Sequence, residues 1–163
     1  MFKGGTIMSD YTAVLAALGI YLVFVLAIVV VVYVLYSLSH MKALKALGYD
    51  KPWMAWIPFA NYWALADVAL NGEDSMNLFG SLSIPGIVFK LWWVIYIVIT
   101  CIPKVGSFLG LVLTIICLGT CYIKMYARLD GKDEKDVRVV GYLSGWIPFI
   151  AMCKFLAGKY DAQ

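Results

Sequence analysis

Two charged side chains and one amide lie inside otherwise apolar stretches of this 163-residue chain: Asp67, Lys90 and Asn61. An ionised side chain in a bilayer costs about 2.5–3.5 kcal/mol on insertion scales, so such groups mark ion paths, substrate sites or ion pairs. We therefore treat the three residues as a candidate polar site within or beside a membrane. Asp67 has a second interpretation, contact with water, because the polar sequence LNGEDS begins three residues after it.

Other site chemistry finds little support in the sequence. There is no Gly-rich phosphate loop, no His-Glu-x-x-His motif and no Gly-x-Ser-x-Gly motif. The single histidine, His40, is interpreted as an anchor at the membrane edge. A metal site would need more ligands than the four cysteines offer, and we interpret those as packing residues. We predict no catalytic residue, no cofactor and no metal, and we expect that the protein is not an enzyme.

The elements that must position these residues are membrane helices. The composition is 63% hydrophobic and only 14% charged, with a mean hydropathy of +0.86, whereas soluble domains carry about 25% charged residues. Residues 11–39 contain no charge over 29 positions, and about 20 residues suffice to cross a bilayer. An uncharged run of this length exceeds the apolar region of a signal peptide, so we interpret it as a permanent span.

Four more apolar stretches follow, at 53–70, 84–102, 105–123 and 139–157. We predict an all-α integral membrane protein with a single membrane domain over 1–163. It would be a compact bundle of about four transmembrane helices, within a range of three to five, with Pro-broken re-entrant or interfacial segments. The predicted spans are about 11–38, 84–102, 105–123 and 139–157.

The stretch 53–70 makes a poor span. Pro58 lies inside it, Asn61 and Asp67 are polar, and Trp53, Trp56 and Trp63 favour the membrane interface. A re-entrant or in-plane segment, in which Asp67 contacts water or polar protein, fits these residues better than a crossing helix. A kinked full span is the alternative.

The basic residues bear on the topology. Loops 40–52 and 124–138 hold eight of the thirteen lysines and arginines. If 53–70 does not cross, the two loops share one face of the membrane, and the positive-inside rule then makes that face cytoplasmic. We predict a multi-pass protein of the cytoplasmic membrane, with both loops in the cytoplasm.

Small residues and net charge indicate the partners. Gly106 and Gly110 form a Gly-x-x-x-Gly pattern, which permits close helix packing. The net charge of +3 is small and does not indicate a nucleic-acid partner. We expect the lipid bilayer as a partner, together with a second copy of the chain or another membrane protein.

The order of several short motifs resembles a family of small uncharacterised bacterial multi-pass membrane proteins. The matching pieces are Lys51-Pro52-Trp53, Ile57-Pro58 with Asn61, Trp92-Trp93 with Ile102-Pro103, Gly131-Lys132 and Pro148-Phe149. The chain departs from the family pattern at Ala60, where Tyr is usual, at Val105-Gly106, where Asn is usual, and in an added loop at 71–83. Some family descriptions refer to proximity to signal peptidase, but the resemblance implies no agreed activity and no site residues.

Two function classes follow. The first is a small non-enzymatic membrane component, structural or accessory, that acts through helix packing with itself or a partner. The second is a small transporter or channel-like protein with broken helices around Asp67, Asn61 and Lys90.

Overall fold

The structure is a computed structural model that describes residues 4–79 and 81–160. Most of these residues are helical, which agrees with the predicted all-α class. We expected a single domain, and the internal contacts divide the chain between Leu35 and Tyr36 into two compact units. Each unit is described by itself.

Helix α1, Gly4–Ala46, includes residues of both units. Every side chain from residue 11 to residue 33 is exposed. The helix ends where Gly48 adopts a φ of +72° and the amide of Tyr49 donates to the carbonyl of Leu44 at 3.0 Å, a Schellman ending that glycine permits. The span predicted at 11–38 therefore lies within a longer helix.

The stretch 53–70 is broken near Pro58, the one proline inside it. A 3₁₀ helix, Pro52–Trp56, precedes α2, Ala60–Leu70, and Phe59 between them has a φ of 67°. Most of α2 is buried, and it packs against α5 and the 3₁₀ helix. The break itself is exposed at Ile57 and Phe59, and the helix that follows it is mostly buried.

A two-stranded hairpin occupies the loop at 71–83, where no strand is predicted. Strand β1, Ser75–Leu78, pairs antiparallel with β2, Leu82–Pro85, and Met76 and Leu78 of β1 are buried. The stretch 84–102 thus begins in a strand. It continues as α3, Gly86–Lys90, and α4, Trp92–Thr100. The predicted span 84–102 is not one continuous helix, because Ile84 and Pro85 pair with β1 and the helix breaks at Leu91, between the buried Phe89 and Trp92.

The last three helices are α5, Gly106–Asp130, α6, Glu134–Trp146, and α7, Pro148–Ala157. The predicted span 105–123 corresponds to most of α5, which ends at Gly131 with a φ of +62°. The predicted span 139–157 is divided between α6 and α7. Pro148 has no amide hydrogen, and it opens a new helix as its first residue instead of continuing α6.

Two helices of the described residues are long and apolar enough to cross a membrane. They are α1 from Tyr11 to Ala46, whose most apolar 18 residues have a mean hydropathy of 3.1, and α5, whose most apolar 18 residues have a mean hydropathy of 2.0. None of the most apolar 18 residues of α1 is buried, whereas half of the most apolar 18 residues of α5 are buried inside the protein. A count of about four membrane crossings remains a prediction.

Candidate functional site

Asp67 and Lys90, two of the three predicted site residues, form an ion pair. Asp67 lies near the end of α2 and Lys90 ends α3, and the Lys90 Nζ is 2.6 Å from the Asp67 Oδ1. Their side chains are 33% and 25% exposed. The pair is therefore half-buried, with both charges compensated and part of each group open to solvent.

Two aromatic residues complete the surroundings of the pair. The Tyr49 hydroxyl donates to the Asp67 Oδ2 at 3.2 Å, and the Lys90 Nζ lies over the Trp63 ring, 5.6 Å from its centroid. Burial, and after it the negative charge of Asp67, raise the pKa of Tyr49 to about 12. Tyr49 is thus a hydrogen-bond donor to the carboxylate over the whole physiological pH range. The contact agrees with the prediction that Asp67 lies against water or polar protein.

An open pocket of about 260 Å³ lies beside the pair. Asp67, Tyr49, Asp50 and Arg128 are among the residues that line it. Arg128 also joins two segments, since its Nη1 donates to the carbonyl of Val68 at 2.8 Å and its Nη2 to that of Leu47 at 3.5 Å. The pocket offers charges of both signs to a polar solute, but its groups are largely engaged with the protein.

Asn61, the third predicted residue, lies apart from the pair. Asn61 and Asp67 are six residues apart on α2, which turns their side chains to different sides of the helix. Asn61 is only 5% exposed, and its Nδ2 donates to the Tyr36 hydroxyl at 3.4 Å. Its Oδ1 has no hydrogen-bond partner among the described residues. The structure thus joins two of the three residues and places the third in a separate polar cluster.

That cluster centres on His40, which is fully buried. The His40 Nδ1 lies 2.8 Å from the carbonyl of Tyr36, and its Nε2 lies 2.9 Å from the Tyr122 hydroxyl. Its interpretation as an anchor at the membrane edge is wrong, because α5 and α7 cover the ring with Tyr122 and Phe155. The four-residue spacing of Tyr36 and His40, repeated by Tyr122 and Tyr126, is the sequence signal for this cluster.

The predicted packing glycines lie at a contact inside the chain. A Cβ added at Gly110 would lie 2.9 Å from the Thr100 Cγ2, and one added at Gly106 would meet the carbonyl of Ile99. These glycines therefore bring α5 close to α4. Sequence reasoning missed a second pattern, Gly141-x-x-x-Gly145 on α6, where a Cβ added at Gly145 would lie 2.7 Å from the backbone nitrogen of Gly119.

The two basic loops lie side by side. Arg128, near the end of α5, reaches the carbonyl of Leu47, directly after α1. The second unit thus places the ends of α1 and α5 together.

The described residues contain no group of three or more His, Cys, Asp or Glu side chains that could hold a metal ion. Comparison of the chain with family models, with curated proteins and with solved structures finds no match. Any conclusion about function therefore rests on the sequence and on the contacts within the fold.

Proposed function

We propose that the chain is a small integral membrane protein without enzymatic activity, a structural or accessory component that packs its helices against a second copy or a partner protein. The observation that carries this proposal is α1. All its side chains from residue 11 to residue 33 are exposed, and its most apolar 18 residues have a mean hydropathy of 3.1. In water, so large an apolar surface is a site of aggregation, whereas lipid solvates it.

Helix α5 supports insertion at a second place. It is 25 residues long, and it leaves Phe108, Leu109 and Leu111 exposed near its beginning while its second half is mostly buried. The exposed apolar first half of α5 would contact lipid, whereas its second half packs inside the protein. Multi-pass insertion in the cytoplasmic membrane, with loops 40–52 and 124–138 in the cytoplasm, is part of the proposal.

Several polar groups form ion pairs or hydrogen bonds within the protein, which supports a role other than catalysis. Asp67 is held by Lys90 and Tyr49, and both ring nitrogens of His40 have protein partners. A general acid or base has to be within reach of a substrate proton. Groups that are fully engaged with one another stabilise a fold more readily than they act on a ligand.

Transport is the second candidate function, and the ion pair is the observation that favours it. Asp67 and Lys90 come from two different short helices, and Asp67 also lines an open pocket. Ionisable groups within membrane segments mark substrate and ion paths by default. In this case a path would use the pair and not Asn61, which lies in the other cluster.

One substitution in α1 tests membrane integration. Leu26 is 61% exposed, and Leu26→Asp would place a charge in the hydrocarbon at a cost of about 2.5–3.5 kcal/mol. We expect the wild-type chain to stay with membranes after an alkaline carbonate wash, and the retained fraction to fall for Leu26→Asp. The control Leu26→Val should behave as wild type.

The opposite pattern would refute the proposal: release of the wild-type chain by the wash, with a higher soluble yield for Leu26→Asp. Purification in mild detergent then tests the packing role. A second copy or a foreign chain in fixed stoichiometry supports it, whereas a lone chain that carries a flux in liposomes supports the transport alternative.

A further inference from the structure

A groove with apolar walls and two lysines lies at the end of α1, inside the second unit. Its volume is about 440 Å³, within the range of about 300–1,000 Å³ that small-molecule sites have. Leu38, Met41, Lys42 and Lys45 line it from α1, and Leu156 of α7 and Tyr160 line it from the other side.

The lining residues of α1 are ordered along the helix. Positions 38, 41, 42 and 45 follow the spacing that puts side chains on one helix face. The two apolar residues come first, next to the uncharged run 11–39, and the two lysines follow toward the loop. The groove therefore changes from apolar to basic in about two turns, in the direction in which a phospholipid changes from acyl chain to phosphate.

Among the described residues, no carboxylate pairs with the positive charge of the groove. The Lys42 Nζ donates to the carbonyls of Leu156 at 2.9 Å and Gly158 at 2.6 Å, which fixes its position and leaves one of its three hydrogens for a further acceptor. Lys45 is exposed one turn later.

The depth of the lysines also fits a lipid headgroup. They are the first charged residues after the uncharged run 11–39, so a span that ends there brings both to the headgroup layer. Basic residues next to a span attract anionic lipids by about 1 kcal/mol each. The rest of the groove is mostly apolar, which suits a lipid better than a free phosphate ion.

We propose that this groove binds one anionic phospholipid, with its phosphate at the Nζ atoms of Lys42 and Lys45 and the first part of an acyl chain on Leu38, Met41 and Leu156. The proposal rests on the proposed membrane integration of the chain. It makes the groove a lipid site in the leaflet next to loop 40–52.

Lipid titration of the purified full-length chain in a neutral detergent, followed by native mass spectrometry, tests this proposal. The probes are phosphatidylglycerol and phosphatidylcholine with the same acyl chains. We expect one bound phosphatidylglycerol per chain, preferred over phosphatidylcholine. Lys45→Gln should weaken its binding about fivefold, the factor that corresponds to about 1 kcal/mol. Lys51→Gln removes an exposed lysine of the same loop outside the groove, and should leave binding unchanged.

A second variant tests the apolar wall. Leu156 is 40% exposed, and Leu156→Ser should weaken phosphatidylglycerol binding without changing the helix content measured by circular dichroism. Equal binding of the two lipids, or equal losses in Lys45→Gln and Lys51→Gln, would overturn the proposal, since charge alone would then explain the attraction. Competition by glycerol 3-phosphate at the affinity of the lipid would overturn it as well, because the site would recognise the phosphate only.

The alkaline wash keeps the two proposals separate. If membranes retain the chain but phosphatidylglycerol is not preferred, only the lipid site is refuted. If the wash releases the chain, the proposed function fails whatever the titration shows.

Discussion

The Asp67 carboxylate holds together three segments of the chain, because Tyr49 follows α1, Asp67 lies on α2 and Lys90 ends α3. Asp67→Asn keeps an acceptor for Tyr49 and removes the charge opposite Lys90. Breaking a fully buried pair costs about 3–5 kcal/mol, and exposed pairs contribute about 0–1 kcal/mol. With side chains 33% and 25% exposed, we expect a loss of about 1 kcal/mol, which lowers the melting temperature by roughly 2–4 °C.

A thermal-shift series in detergent measures this coupling. Lys90→Met should cost about as much as Asp67→Asn, and the double mutant should lose less than the sum of the two. Asp50→Asn is the matched control, since Asp50 is exposed on the same pocket, and it should change stability by less than about 0.5 kcal/mol. Strictly additive losses would contradict the coupling, and loss of a liposome flux in a stable Asp67→Asn protein would favour transport.

The polar residues also show which contacts can be predicted from the sequence and which cannot. Asp67 and Lys90 are recognisable because a charge in an apolar stretch needs a partner, and they are each other's partner. The spacing of Tyr36 and His40 indicates a cluster on one helix face, but it does not identify Tyr122, which lies 82 positions along the chain and contacts the His40 ring. A local sequence pattern does not identify a distant side chain that covers a polar group.

Among the elements, prolines and glycines decide which predictions hold. Pro52 and Pro148 each open a helix, and Gly48 and Gly131 follow the ends of α1 and α5. The predicted span 139–157 rests on hydropathy alone. It therefore runs across Pro148 and misses the boundary between α6 and α7. The hairpin was missed because its strands have only four residues each, too few for a period-two pattern to stand out.

The contact between α5 and α6 carries a prediction at this scale. A Cβ at Gly145 would lie 2.7 Å from the nitrogen and 2.9 Å from the Cα of Gly119. Backbone atoms cannot swing away, so Gly145→Ala has to push the two helices apart. We expect a loss of about 1–3 kcal/mol, typical of overpacking, measured as a lower melting temperature in detergent.

Gly19→Ala is the matched control for this prediction, because a Cβ at Gly19 would meet nothing within 4 Å. It should leave stability unchanged or raise it slightly, since alanine is the better helix former. Equal melting temperatures for Gly145→Ala and wild type would show that α5 and α6 do not pack through these glycines.

For the whole molecule, composition predicts the helical class and the first apolar helix, but not the number of crossings. An apolar side chain can be buried in lipid or in protein, and hydropathy does not separate the two environments. Half of the most apolar 18 residues of α5 and most of α2 are buried within the second unit. That is why 53–70 is an apolar stretch although its helix has only 11 residues and packs inside the protein.

Topology is the remaining property of the whole molecule, and three single cysteines test it. Arg128 ties the end of α5 to the carbonyl of Leu47, so loops 40–52 and 124–138 should share one face. Lys104 precedes α5 and Lys132 follows it, and 25 helical residues span about 37 Å, more than the hydrocarbon thickness of about 30 Å. If α5 crosses, Lys104 therefore faces the opposite side.

The experiment introduces Asp50→Cys, Lys132→Cys or Lys104→Cys into a chain whose four native cysteines are replaced by alanine, and labels intact cells with an impermeant maleimide. The positive-inside rule predicts that positions 50 and 132 react only after permeabilisation, since their loops hold eight of the thirteen basic residues. Position 104 should react in intact cells. Different labelling of 50 and 132 would contradict the shared face, and equal labelling of all three positions would show that α5 does not cross.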